Sequence, residues 1–209
     1  MNVKLLTLYD AGYAQVGDQC AKSLRTHAAA LGVGLDVYTE LLDPGVHPSW
    51  NKIAALQTTL SDLQDGDWAV WIDADCLLLR PFALVDDLGD KLQFDLLGAS
   101  DWNGLCACVL AVKKCAWTDW FLPTLSRCGD VKDDDRYGAA LGPKWEQNTI
   151  KGLLNEFPAV ARRISFLDSN WIADMPWYDP ERLKPLHHFG ALTQNQRLSM
   201  MREYPYGVA

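Results

Sequence analysis

The stretch DWAVWIDADCLLLRP, Asp67 to Pro81, decides how this chain is read: an apolar run stops abruptly in two aspartates one residue apart. Trp68 to Asp73 predicts a buried strand, because a continuous apolar run of that length is too short for a free-standing helix and is rich in strand-favouring side chains. Asp73 and Asp75 then stand at its carboxyl end. In an open parallel sheet that end is where ligands bind, and alternate residues of an extended tip point the same way, so the two carboxylates converge on one hard cation. A divalent metal there would hold a diphosphate. An isolated Asp-x-Asp also arises where aspartate caps a helix or sets a turn, so the flanking pattern has to decide.

Upstream, Val3 to Tyr9 is an apolar first strand, followed by Cys20, Leu24, Ala28 and Leu31 at helical spacing, ending near Gly32. Leu35 to Tyr38 supplies a second strand. Ser49 is placed to cap a second helix carrying Trp50, Ile53, Leu56, Leu60 and Leu63 before Gly66 stops it. This β-α-β-α-β alternation predicts a parallel sheet covered by helices, since parallel neighbours need helical crossovers. Neither a Gly-x-Gly-x-x-Gly after the first strand nor a Gly-x-x-x-x-Gly-Lys-Ser/Thr occurs, so dinucleotide and P-loop readings lack their phosphate cradle.

Downstream, the pattern predicts a short helix over Ala83 to Leu88 and strands over Phe94 to Ala99 and Leu105 to Val112, on either side of the turn Asp101-Trp102-Asn103-Gly104. Helical stripes follow at Ala116 to Leu125, with Pro123 a candidate breaker, and at Trp145 to Leu154. The polar run from Gly129 to Pro143, with Asp133, Asp134 and Asp135 in succession, reads as a solvated loop. His187-His188-Phe189-Gly190 precedes a last helix over Gln194 to Arg202.

With 209 residues, 49% of them hydrophobic, residues 1–209 are expected to form one globular domain. No apolar run reaches a membrane span and the N-terminus lacks a signal-peptide layout, so a cytoplasmic protein is expected. A net charge of −8 without any basic block argues against a nucleic-acid backbone as partner. The six cysteines are scattered without Cys-x-x-Cys pairs and read as free core thiols; Cys106 and Cys108 share a strand face, yet two thiolates alone do not close a zinc site. Trp102, Trp171 and Trp177 stand near turns, where aromatic rings stack on sugars or bases as well as pack.

Taken in order, these features resemble a GT-A-type glycosyltransferase, and more narrowly the retaining families related to glycogenin and the lipopolysaccharide galactosyltransferases. The features are the strand-helix-strand opening, Trp50-x-Lys52, Asp73-Ala74-Asp75, Arg80-Pro81, Asn103-Gly104, Glu146-Gln147 and the late His-Phe-Gly. The resemblance covers roughly residues 3–192 and implies a Rossmann-like three-layer α/β/α sandwich with a mixed, mainly parallel sheet. It implies transfer of a sugar from a nucleoside diphosphate donor, UDP in preference to GDP, to an acceptor hydroxyl with Mn²⁺ or Mg²⁺. It places Asp73 and Ala74 against the nucleotide and Asp73 and Asp75 on the metal, with a late histidine completing the set. His187 has the right spacing to Gly190 and His188 the better local match. On an extended segment the two rings face opposite ways, so one binds and the other packs.

By the same resemblance Thr7, Tyr9 and Asp10 hold base and ribose, Lys52 approaches the diphosphate, and Asn103 and Gly104, with Trp171, contact sugars. Asp101, Glu146 and Gln147 become the candidate catalytic residues. The sequence departs from the family after Gly190, where Ala191-Leu192-Thr193-Gln194 replaces the usual basic residue and Arg197 is the nearest cation. Two alternatives are a haloacid-dehalogenase-like phosphatase, whose Asp-x-Asp normally closes the first strand of its domain, and a non-catalytic nucleotide-sugar binder.

Overall fold

A computed structural model describes residues 1–80, 89–101, 104–129, 145–167, 172–174 and 184–204. The expected helix over Ala83 to Leu88, Trp102, Asn103, the acidic loop, Trp171 and Trp177 lie outside these residues. A six-stranded sheet runs in the order β2-β1-β3-β6-β5-β7. Its strands are β1 (Val3–Leu8), β2 (Gly34–Tyr38), β3 (Trp68–Ile72), β5 (Leu96–Asp101), β6 (Gly104–Lys113) and β7 (Ile164–Phe166). β1 pairs in parallel with β2 and β3, and β6 alone runs against its neighbours β3 and β5. The sheet is therefore mixed and mainly parallel, as the sequence implies.

A second sheet, absent from the sequence-based expectation, joins β4 (Cys76–Leu78), β9 (Leu186–His188) and β8 (Ile172–Asp174). β4 follows the aspartates directly and pairs antiparallel with β9, putting Cys76 opposite His188 and Leu77 opposite His187. Strands of three residues carry too little alternation to be seen as a period.

Period two along β1 and β3 divides the core. Leu5, Trp68, Val70 and Ile72 face α1 (Ala14–Leu31) and the second sheet, while Leu6, Leu8, Ala69 and Trp71 face α2 (Asn51–Ser61) and its neighbours. Both faces of β3 are covered, which is why its sequence is continuously apolar. Of the stripes expected on α1 and α2, Cys20, Leu24 and Ala28 on one helix and Ile53, Leu56 and Leu60 on the other are buried, Val16 joins the first, and Leu31 and Leu63 are half-buried. Helix α2 begins later and ends earlier than expected. His47, not Ser49, caps a short 3₁₀ turn over Pro48–Trp50, and the helix stops at Ser61 with Asp62 as its C-cap.

Helix α3 (Ala116–Gly129) continues through Pro123 instead of breaking there. The burial of Phe121, Leu122 and Leu125 against the sheet offsets the roughly 3 kcal/mol that an interior proline costs. Helices α4 (Glu146–Glu156), α5 (Pro158–Ala161) and α6 (Gln194–Glu203) follow, the last opened by a Thr193–Gln196 capping box.

Gly17 fixes how α1 sits on the end of β1. A Cβ at this position would lie 2.1 Å from the Tyr9 ring, so only glycine admits the ring. Alanine favours a helix by roughly 1 kcal/mol over glycine, but this clash outweighs it. Gly17→Ala is expected to destabilise the protein by about 1–3 kcal/mol in urea unfolding.

Candidate functional site

A cavity of about 550 Å³ opens at the carboxyl ends of β1 and β3. Tyr9, Asp10 and Tyr13 line one side, Lys52, Trp71 and the Asp73–Asp75 turn the floor, Cys106 and Cys108 the wall from β6, and Glu146 and Gln147 the start of α4. His188, Gly190 and Arg197 close the remaining side. Its size suits a ligand of small-molecule dimensions.

Beyond Ile72 the chain does not stay extended. The Cys76 amide donates to the Asp73 carbonyl (3.0 Å), closing a turn, and the two carboxylates take different partners. Asp73 Oδ1 accepts from Trp71 Nε1 (2.5 Å) and pairs with Lys52 Nζ (3.0 Å). Asp75 lies 3.6 Å from His188 Nε2 and 3.3 Å from Arg197 Nε. Burial pushes the Asp75 carboxyl above the ordinary carboxylate range; His188 and Arg197 pull against that shift and the Asp73 charge adds to it.

Lys52, expected to approach a diphosphate, lines the cavity with its ammonium engaged by protein groups. It is 4% exposed, and its three N–H groups meet three protein acceptors: the Ala107 carbonyl (2.8 Å), Asp73 Oδ1 (3.0 Å) and Glu146 Oε1 (2.8 Å). Burial works against its charge, but Asp73 and Glu146 outweigh it and hold the ammonium above the ordinary lysine range. Glu146 Oε2 is buried without a hydrogen-bond partner. Gln147 Oε1 accepts from the Ala107 amide (2.9 Å), so Lys52 and Gln147 engage the carbonyl and the amide of one β6 residue.

That residue lies in an irregularity. β5 pairs Gly98 with Leu110 but Ala99 with Cys106, leaving Ala107 to Val109 without partners on β5. The freed backbone serves the site, the Ala107 carbonyl and amide taking Lys52 and Gln147, while on the other edge of β6 the Cys108 carbonyl continues the β3 pairing and accepts from the Asp73 amide (2.8 Å).

Of the tandem histidines, His188 lines the cavity, whereas His187 is fully buried with its ring 5.2 Å from that of Tyr204 and is not part of the lining. Gly190 makes room for the His188 ring, since a Cβ there would lie 2.6 Å from it. Ligand atoms of Asp75, Cys76 and His188 lie within 4.8 Å of one another, and Asp73 stands outside that group. A carboxylate beside an imidazole suits a divalent cation.

Thr7 is fully buried beneath the cavity and does not line it. Tyr9 lines it, with its ring seated on Gly17 and its hydroxyl donating to Asp18 (2.7 Å); burial, helped by Asp18, pushes its pKa up to about 12. Asp10 accepts from the Tyr13 amide (3.1 Å), and Ala74 sits in the lining. Asp101 ends β5 opposite Gly104, whose φ is +96°. Tyr13 belongs to no motif in the sequence, where Arg197 stands out only as the nearest cation after Gly190. Arg197 Nε donates to the Phe189 carbonyl (2.8 Å) and Nη1 to the Tyr13 hydroxyl (2.5 Å). Its position on the first turns of a helix following Gly190 is the signal that marks it.

The sheet order, its one antiparallel strand and the site at the strand ends define a GT-A-like glycosyltransferase fold. The crystal structure of a glycosyltransferase involved in glycosylation of the major capsid of PBCV-1 superposes with a TM-score of 0.74 at 12% identity, over 97% of this chain and 100% of that one. The galactosyltransferase LgtC, solved with donor and acceptor sugar analogs, gives 0.52 at 14% identity over 96% of each chain. In sequence, a probable glycosyltransferase 6 of Oryza sativa subsp. indica is 26% identical over 137 residues, 58% of this chain. That match spans about a quarter of the rice protein, 26% of its length. No family model matches the chain. Nothing supports the phosphatase alternative: two strand-helix units precede Asp73, and Leu77 fills the position where that family carries a small hydroxyl residue.

Removing the Lys52 ammonium leaves Glu146, 3% exposed, as an unpaired buried charge. Lys52→Met is expected to cost about 3–5 kcal/mol in denaturant unfolding; a loss below about 1 kcal/mol would show that the ammonium is not structural.

Proposed function

We propose that residues 1–209 act as one domain that transfers a sugar from a nucleoside diphosphate donor, UDP in preference to GDP, to an acceptor hydroxyl with retention at the anomeric carbon. The observation that carries this reading is the meeting of Asp73, Asp75 and His188 on one cavity at the carboxyl ends of the parallel strands. The relatives' names support the reaction class, and the resemblance in the sequence supports the stereochemistry.

In this reading Asp75 and His188 hold Mn²⁺ or Mg²⁺, with Asp73 beside them toward the ribose. The cation supplies stabilisation of the negative charge that builds on the departing diphosphate, without a proton transfer. Arg197, beside Asp75, adds positive charge on the same side. Tyr9, Asp10 and Ala74 flank the nucleoside. Glu146, whose pairing with Lys52 shapes the cavity wall, and Gln147 next to it stand on the sugar's side. Asp101, Asn103, Gly104 and Trp171 belong to the sugar and acceptor side.

Incubation with UDP- and GDP-hexoses and Mn²⁺ is expected to release nucleoside diphosphate, and chelation to stop it. Asp75→Ala is expected to lower the rate about a thousandfold or more with unchanged circular dichroism. Undiminished release by that variant would remove Asp75 from the mechanism, and tight nucleotide binding without turnover of any donor would favour the non-catalytic binder. Gly190→Ala, which displaces the imidazole, is expected to raise the Mn²⁺ concentration needed for half-maximal release at least severalfold.

A further inference from the structure

The cavity wall carries a second set of donors, of a kind that hard cations do not favour. Cys106 and Cys108 stand two residues apart on β6, with their Sγ atoms 3.0 Å apart. Both thiols are nearly buried, yet both residues line the cavity. His188 reaches them from β9, and its ring nitrogen and the two sulfurs all lie within 4.8 Å of one another. The backbone irregularity at Ala107 to Val109 sets this face of β6 at the cavity, and Cys76 stands opposite His188 on β4.

We propose that Cys106, Cys108 and His188 form a binding site for a thiophilic divalent cation, Zn²⁺ in the first instance, with the fourth position open to the cavity. Thiolates select zinc over magnesium and manganese by softness. Zinc takes four tetrahedral ligands, sulfur at about 2.3 Å and imidazole nitrogen at about 2.0–2.1 Å. Neighbouring ligand atoms then stand roughly 3.5–3.8 Å apart, so the three groups close on the ion by side-chain adjustments of about an ångström. On binding, the two thiols release their protons to solvent. One Zn²⁺, two thiolates and a neutral imidazole make an electrically neutral unit, the form a buried wall tolerates.

His188 is shared between this site and Asp75. Zinc on the thiols therefore withdraws the imidazole from the carboxylate side. On the reading under Proposed function, which this consequence alone requires, zinc inhibits transfer by taking a ligand rather than by occupying the donor's place.

The test is titration of the reduced, metal-free full chain with Co²⁺ as a spectroscopic stand-in for zinc. One equivalent is expected to produce a sulfur-to-cobalt charge-transfer band and strong tetrahedral visible absorption, both abolished by added Zn²⁺. Cys106→Ser and Cys108→Ser are each expected to weaken binding at least tenfold, while Asp75→Ala keeps the charge-transfer band even where it abolishes donor turnover. Zinc-edge X-ray absorption of the wild-type chain, independent of any variant, is expected to show two sulfur neighbours at about 2.3 Å. Only oxygen and nitrogen neighbours, no charge-transfer band, or a band unchanged in the double serine variant would overturn the site.

Discussion

The buried ammonium of Lys52 is the constraint on which the site depends. It ties together four elements: α2, which carries it; the irregular part of β6, whose Ala107 carbonyl it meets; the end of β3, through Asp73; and the start of α4, through Glu146. A charge withdrawn from water is tolerated only when its partners are nearby and well placed, so the positions of these four elements are fixed relative to one another. The cavity is the space this junction leaves between the strand ends and the second sheet. Asp73 is held on the β3 side by Lys52 and Trp71, and Asp75, past the turn, faces the histidine and arginine that come from the last part of the chain.

The irregularity in β6 makes the junction possible. A regular ladder would spend the amide and carbonyl of Ala107 on neighbouring strands. Displaced from β5, they serve Gln147 and Lys52 instead. Bulges often sit beside active sites because they re-aim backbone and side chains together. Here the same displacement presents two thiols to the cavity, so the wall opposite the carboxylates is soft in chemical character while the turn below it is hard.

Much of the framework was legible in the sequence because it rests on periods. The fully apolar β3 between two helical layers, the stripes of α1 and α2 and the aspartates at the strand end all follow from short-range pattern. The resemblance to GT-A enzymes added the late histidine and the Glu146-Gln147 pair, and both come to the cavity. What stayed hidden depends on partners far apart in the chain. The burial of Lys52 needs residues on β3, β6 and α4, and nothing around Lys52 in the sequence records them. Thr7 alternates away from the cavity, a matter of where β1 ends. The three-residue strands of the second sheet have no period to read, yet they decide that His188 meets the cavity and His187 the core.

The most direct measurement is a manganese-edge anomalous difference map from crystals grown with Mn²⁺ and UDP. One strong peak is expected within coordination distance of Asp75 and His188, with the diphosphate bridging it toward Arg197 and the uracil ring near Tyr9. A peak remote from these residues, or nucleotide bound outside the cavity, would contradict the placement of the donor on this junction.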